Sequence, residues 1–164
     1  MRIAVISDTH DNKEAIFRLV DQLNSENIDV VIHAGDHIAP FTVDWMAGIK
    51  RRVIGVAGNN DAERELLRDK YAGHGWSFTY DIAEVDLDGL IAVYHGTVDK
   101  VLDALIGSGK YSVVIHGHLH KVIIKEYDNN VLRISPGEVC GYLTGKRTYM
   151  VLRMPDKDVD VIEF

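Results

Sequence analysis

Five apolar segments of the sequence are each followed directly by side chains that can bind metal ions. These side chains are Asp8, His10, Asp36, Asn59, His95, His118 and His120. Carboxylates, amide oxygens and neutral imidazoles are ligands that suit manganese, iron, zinc or nickel, and the set contains no thiolate. Two aspartates, one asparagine and four histidines are too many donors for one ordinary ion. They suit two divalent ions that share a bridging carboxylate. The positive charge of two such ions exceeds the negative charge of the two aspartates and a bridging hydroxide, and this excess would attract a phosphate ester.

The spacing within the segments supports a common site. Asp8 and His10 alternate, as do His118 and His120, so on extended backbone both members of each pair would face the same side. Glycines adjoin several of the ligands and would let the backbone turn tightly there. They are Gly35, Gly58, Gly96 and Gly117.

Each motif alone has a more ordinary interpretation. A Gly-Asp or Gly-Asn pair after a strand is usually a turn, and a lone histidine such as His95 is more often a hydrogen-bonded structural residue. A D-x-H motif arises easily by chance, whereas two imidazoles at His118 and His120 have few structural uses. The five motifs together are hard to explain by packing, because burying so many polar groups without a metal ion costs free energy. We therefore favour a metal site.

The elements that must position these residues follow from the hydrophobic pattern. Helices are predicted over 13–24, 43–49, 62–71 and 98–106, with Asp11 or Asn12 capping the first. Strands are predicted over 2–6, 30–34, 53–57, 77–87, 90–94, 112–115, 121–127, 130–134, 149–153 and 159–164, with a hairpin turn at Asp88-Gly89. The order predicts an α/β fold with a strand core of two layers and helices outside. In such sheets ligands bind beyond the carboxyl ends of the strands, so five ends can gather their side chains at one edge.

Length and composition restrict the class of protein. The 164 residues suit one domain over 1–164, and no run approaches the roughly 18 apolar residues that would span a bilayer. Cys140 is the only cysteine, which excludes intramolecular disulfides and cysteine-rich zinc modules. A net charge of −7 argues against a surface that tracks long nucleic acid. Because the chain opens directly into a predicted strand, we expect no signal peptide and a location in the cytoplasm.

The order of these motifs resembles the calcineurin-like metallophosphoesterase superfamily. Its pattern of D-x-H, G-D, G-N-x-D, a lone histidine and G-H-x-H is present in that order between Asp8 and His120. The small size, the opening Ser7-Asp8-Thr9-His10 and the stretch 136–142 resemble its compact prokaryotic single-domain phosphodiesterases. The resemblance implies a four-layer α-β-β-α sandwich, in which two mixed β-sheets are flanked by helices and the metal site lies at the C-terminal ends of strands.

The resemblance also implies a dinuclear site and a role for each ligand. One metal would be held by Asp8, His10, Asp36 and His120, and the other by Asp36, Asn59, His95 and His118. Asp36 would bridge the two ions and hold a metal-bridging hydroxide that attacks phosphorus in line. Manganese is the favoured ion, with nickel, iron, zinc or magnesium as alternatives. Asp61 would support the Asn59 loop rather than contact metal.

One residue departs from the pattern of the larger monoesterases in the superfamily. Those enzymes carry a histidine after the asparagine, placed to assist the leaving group, and this chain carries Asn60. An amide can hydrogen-bond a phosphate oxygen, but it cannot deliver a proton at neutral pH. We therefore expect Asn60 to contact the phosphate of a small phosphodiester substrate, and diesters to be preferred over monoesters.

Two other functions and one question of assembly stay open at this point. Some relatives with this fold act as non-catalytic protein-interaction scaffolds, and they have lost part of the metal set. Other members are nucleases, although here the one dense basic cluster is Lys50-Arg51-Arg52, which is more often a solvated helix end. The hairpin around Asp88-Gly89 or the last strand could pair with another copy, so a homo-oligomer is an open alternative.

Overall fold

The chain alternates strands and helices in its first part and then continues almost entirely as strands. The computed structural model describes residues 1–164. In chain order the elements are β1 (Arg2–Ile6), α1 (Lys13–Ser25), β2 (Val30–His33), α2 (Phe41–Met46), β3 (Arg52–Val56), α3 (Arg64–Gly73), β4 (Ser77–Thr79), β5 (Ile82–Asp86), β6 (Leu90–Tyr94), α4 (Asp99–Gly107), β7 (Val113–Ile115), β8 (Val122–Glu126), β9 (Leu132–Pro136), β10 (Thr148–Arg153) and β11 (Asp158–Glu163). None of the helices is both long enough and apolar enough to cross a membrane.

The strands form two mixed sheets. The first has six strands in the order β11-β10-β1-β2-β3-β4, in which β1 to β4 run parallel and β10 and β11 run antiparallel to their neighbours. The second has five strands in the order β5-β6-β7-β9-β8, with β6, β7 and β9 parallel. The parallel strands place their carboxyl ends at one edge of each sheet, which is where their loops emerge.

The alternation of side chains along β1 shows how the layers stack. Ile3 and Val5 pack into a core between the two sheets, together with residues of β6 and β7. Ala4 and Ile6 point the other way, into a core shared with the buried face of α1. A third, smaller core lies between α4 and the second sheet. The predicted α-β-β-α sandwich is therefore confirmed, with both faces of the parallel strands buried.

Helix α1 begins where the sequence predicts. The Asn12 side chain accepts a hydrogen bond from Ala15 N at 3.1 Å and caps the first turn. The other candidate cap, Asp11, instead accepts from Ala39 N and from the Thr42 hydroxyl. It thereby joins the start of α1 to the segment that enters α2, next to the loop that follows β2.

All predicted helices and strands are present, but the prediction of one strand over 77–87 is wrong. The segment divides into β4, which pairs with β3 in the first sheet, and β5, which pairs with β6 in the second. The strand-like sequence continues across the division, so periodicity alone does not reveal which sheet each half joins. In the predicted helix 62–71 the two adjacent leucines differ, because Leu66 is 46% exposed while Leu67 is fully buried.

Candidate metal centre

Loops from both sheets meet at the candidate metal centre. β1, β2 and β3 of the first sheet and β6 and β7 of the second lead into the predicted ligands. Asp8 N donates to Gly35 O at 3.0 Å and so joins the loops after β1 and β2. His95 Nδ1 donates to Ala34 O at 2.7 Å and links the two sheets directly. The five strand ends therefore gather their side chains at the adjacent edges of two sheets.

The expectation of extended backbone at Asp8–His10 and at His118–His120 is wrong, although Asp8 and His10 do face the same site. Five of the predicted ligands have a left-handed backbone. Their φ values are 54° at Asp8, 42° at His10, 59° at Asp36, 69° at His118 and 55° at His120. Such conformations cost about 1–3 kcal/mol each outside glycine and persist only where surrounding contacts hold them. The chain turns at the ligands themselves, which aims each side chain back into the centre.

One group of side chains surrounds Asp8. His120 Nε2 lies 3.4 Å from Asp8 Oδ1, and His10 Nε2 lies 3.7 Å from the same oxygen. Asp8 Oδ1 and His10 Nε2 are buried atoms without any hydrogen-bond partner. Unsatisfied buried polar atoms are costly, and a cation between these three side chains would satisfy both. The donor set thus fits a divalent metal ion.

A second group surrounds His95. Its Nε2 lies 3.0 Å from Asn59 Oδ1 and 3.4 Å from Asp36 Oδ1, and its ring packs edge-on against His118 at 5.2 Å between centroids. The other oxygen of Asp36, Oδ2, lies 3.4 Å from His10 Nε2. The two oxygens of Asp36 therefore face different groups of ligands. A carboxylate in that position has the geometry of a bridge.

The electrostatic environment of the site favours positively charged groups. The nearby carboxylates of Asp36 and Asp8 raise the pKa of His10 to about 9. Burial alone would raise the pKa of Asp36, but the adjacent imidazoles of His10 and His95 hold it well below its usual range. Burial alone would lower the pKa of His95, but contact with Asp36 raises it. The raised pKa values of His10 and His95 indicate that the buried carboxylates attract positive charge, which a bound metal ion would supply.

Two glycines make room for the carboxylates. A Cβ on Gly58 would overlap Asp36 Oδ1, and a Cβ on Gly117 would overlap the Ser7 hydroxyl and approach Asp8 Oδ2 to 2.8 Å. Neither glycine has a left-handed φ. These positions therefore require glycine for close approach of the backbone to a side chain, and not for a turn.

Asp61 lies beneath the centre and holds two of its loops. Its carboxylate accepts hydrogen bonds from Asp36 N at 3.1 Å, Gly58 N at 2.8 Å and Ile38 N at 2.7 Å. His37 Nδ1 donates to the same carboxylate at 3.1 Å, and the Tyr71 hydroxyl donates to His37 Nε2 at 2.7 Å. No role for His37 was expected from the sequence. Its position directly after the G-D motif was the one available signal.

Asn60 is placed against the bridging position. Its backbone N donates to Asp36 Oδ1 at 2.9 Å, and its side-chain amide donates to Asp36 Oδ2 at 2.8 Å. The residue is exposed. The amide therefore stands at the open side of the site, next to the Asp36 carboxylate.

Two further residues support the G-H-x-H segment. His116 donates from Nδ1 to Gly117 O at 3.0 Å and accepts at Nε2 from Arg133 at 2.9 Å, and burial lowers its pKa to about 4. His120 Nδ1 donates to Glu138 Oε2 at 2.6 Å. Burial alone would raise the pKa of Glu138, but the His120 hydrogen bond and others lower it to about 2. No role for Glu138 was expected from the sequence, in which it lies within the stretch 136–142.

Comparison with known proteins agrees with this geometry. The profile of the calcineurin-like phosphoesterase superfamily domain matches residues 1–157. Phosphodiesterase MJ0936 of Methanocaldococcus jannaschii is 38% identical over 160 residues, which cover 96% of each chain. The solved structure of an archaeal phosphodiesterase is 36% identical and superimposes over the whole of both chains with a TM-score of 0.95. The fold alone is shared with zinc-bound Vps29 of Entamoeba histolytica, which is 20% identical with a TM-score of 0.72 over 99% of this chain and 91% of that one. The chain belongs to the calcineurin-like phosphoesterase superfamily.

Proposed function

We propose that the protein is a metal-dependent phosphodiesterase that hydrolyses a small phosphodiester at a dinuclear centre. The position of Asp36 is the observation that carries the proposal, because its two oxygens face two separate groups of imidazole and carboxylate or amide ligands. The relative named a phosphodiesterase, similar over nearly the full length, supports the choice of reaction. Manganese is our favoured ion, since the ligands are nitrogen and oxygen without thiolate.

Each residue has a distinct role in this proposal. Asp8, His10 and His120 hold one ion, and Asn59, His95 and His118 hold the other, while Asp36 binds both. When bound, the two divalent ions supply Lewis-acid activation of the phosphoryl group and of the attacking water. Asp61 and Gly58 keep Asp36 in place beneath them. The left-handed backbone at the ligands preorganises the site before substrate arrives.

Asn60 is the residue that we assign to the substrate phosphate. Its amide stands on the exposed side of Asp36 and can donate a hydrogen bond to a phosphoryl oxygen. It carries no proton to give to a departing alkoxide. A diester, or an ester with a good leaving group, loses least from that absence, which favours phosphodiesters over phosphomonoesters.

The test begins from protein stripped with a chelator. Manganese, nickel, zinc, iron or magnesium is restored singly, and turnover is measured on an aryl phosphodiester and on the matching monoester. We expect activity to return with at least one ion and to be higher on the diester. A clear preference for the monoester would refute the substrate assignment. Protein that binds no divalent ion would refute the enzyme and favour a scaffold.

A further inference from the structure

Glu138 is a buried acid that receives an unusual number of hydrogen bonds. It follows β9 and Gly137, and its side chain is completely buried. Five donors converge on its two oxygens: His120 Nδ1 at 2.6 Å, Cys140 Sγ at 3.1 Å, Leu143 N at 3.0 Å, Thr144 N at 2.6 Å and the Thr144 hydroxyl at 2.7 Å. Only an ionised carboxylate accepts from all of them, because it has no proton of its own to place.

The contact with His120 determines which ring nitrogen is free to bind metal. Donation from Nδ1 to Glu138 Oε2 places a proton on Nδ1. The lone pair of the neutral ring is then on Nε2, which lies 3.4 Å from Asp8 Oδ1 inside the first ligand group. A carboxylate behind a ligating imidazole also fixes the plane of the ring and raises its basicity.

The same carboxylate holds the loop that follows it. Leu143 N and the two donors of Thr144 bind mainly Oε1, whereas His120 binds Oε2. The two oxygens thus have separable tasks, one toward the loop and one toward the metal ligand. Removing the Thr144 hydroxyl alters the loop side alone.

We propose that Glu138 is a positioning residue for the dinuclear centre, acting through His120 on the ion held by Asp8, His10 and His120. The inference rests on the proposed function, because it assigns His120 to one of two ions. It has a consequence that a merely structural acid would not have. Loss of the carboxylate weakens one metal-binding step and leaves the step at Asn59, His95 and His118 unchanged.

Calorimetric titration of the chelator-stripped full chain with manganese chloride tests the inference. Wild-type protein is expected to show two binding steps. In Glu138→Gln the side-chain NH₂ replaces one acceptor oxygen and so faces donors, either those of the loop or that of His120. We expect the manganese affinity of one binding step to fall about 10–100-fold, the usual cost of losing such a partner. Glu138→Asp keeps two acceptor oxygens and is expected to lose less. Two controls, Thr144→Val at the loop contact and the exposed Glu126→Gln, should retain both steps.

Each outcome decides a different point. Equal weakening of both steps in Glu138→Gln, or no change, with the circular dichroism spectrum of the wild type, overturns the positioning role and leaves the dinuclear centre standing. If Glu138→Gln does not fold, the same comparison is made with Glu138→Asp. A stoichiometry of one manganese ion per wild-type chain refutes the dinuclear centre, and Glu138 then keeps its role only if its variant weakens the binding of that ion. No binding at all overturns both.

Discussion

Gly58→Ala should damage the centre through one added methyl group. The backbone of Gly58 is not left-handed, so alanine itself is tolerated there. The new Cβ would overlap Asp36 Oδ1 and lie 2.8 Å from Asp36 Cγ, against a side chain that cannot retreat. Asp36 is buried and held by Asn60 N at 2.9 Å, while Gly58 N is itself bound to Asp61. The loop after β3 must therefore move away from the loop after β2.

The expected losses of stability and of manganese affinity follow from these contacts. Overpacking of this kind costs about 1–3 kcal/mol. Breaking the two hydrogen bonds from Asn60 to Asp36, which join the two loops, adds about 1 kcal/mol each, so we expect a total of about 3–5 kcal/mol. Because Asn59 and Asp36 shift relative to each other, affinity for manganese should fall by at least about tenfold, which corresponds to 1.4 kcal/mol.

The matched control is Gly73→Ala, the same substitution at the end of α3. Nothing lies within 4 Å of a Cβ there, and its φ is also ordinary. In a helix alanine is favoured over glycine by about 0.5–1 kcal/mol, so this variant should be slightly more stable than wild type. Urea unfolding in chelator, followed by tryptophan fluorescence, measures both variants, and manganese titration measures the site. If Gly58→Ala unfolds at the wild-type urea midpoint and binds manganese normally, the steric argument is wrong.

Three further predictions concern the centre and its surroundings. Asp36→Asn removes the charge between the two ligand groups, so turnover should fall more than about 100-fold while the circular dichroism spectrum is kept; retained turnover would refute the bridging role. Asn60→His supplies a proton donor at the open side of the site, so the ratio of monoester to diester turnover should rise by about tenfold or more, and an unchanged ratio would count against our account of Asn60. Cys140 is 1% exposed and burial raises the pKa of its thiol to about 12, so a disulfide reagent at pH 8 should label it only in denaturant; rapid labelling of native protein would contradict this burial.

The positions of the helices and strands along the chain could be predicted largely from local sequence. Short β-branched runs at 2–6 and 30–34 and the apolar face of 13–24 follow periodicities that tertiary contacts reinforce. The segment 77–87 could not be assigned in the same way, because its two halves have similar strand propensity and join different sheets. Strand pairing depends on partners distant in the chain, and the periodicity of a segment does not identify those partners.

The candidate site shows the same division. Motif order and ligand chemistry predicted which side chains would meet, since each follows a strand and only a few ions accept such a set. The prediction of extended backbone at Asp8 and His118 failed, because loop conformation is imposed by hydrogen bonds between loops, such as Asp8 N with Gly35 O. Glu138 was missed as a partner of His120 because eighteen residues separate them and no spacing rule joins the two.

By itself the sequence determined the α/β class, the order of the elements and which side chains are candidates to bind metal. These properties depend on residue type and short-range spacing. The tertiary structure decided how the loops of two sheets meet at one centre, how far the two oxygens of Asp36 lie from each ligand group, and that Glu138 supports His120 from behind. These properties depend on distances between residues far apart in the chain, which are set only when the two sheets pack their shared core.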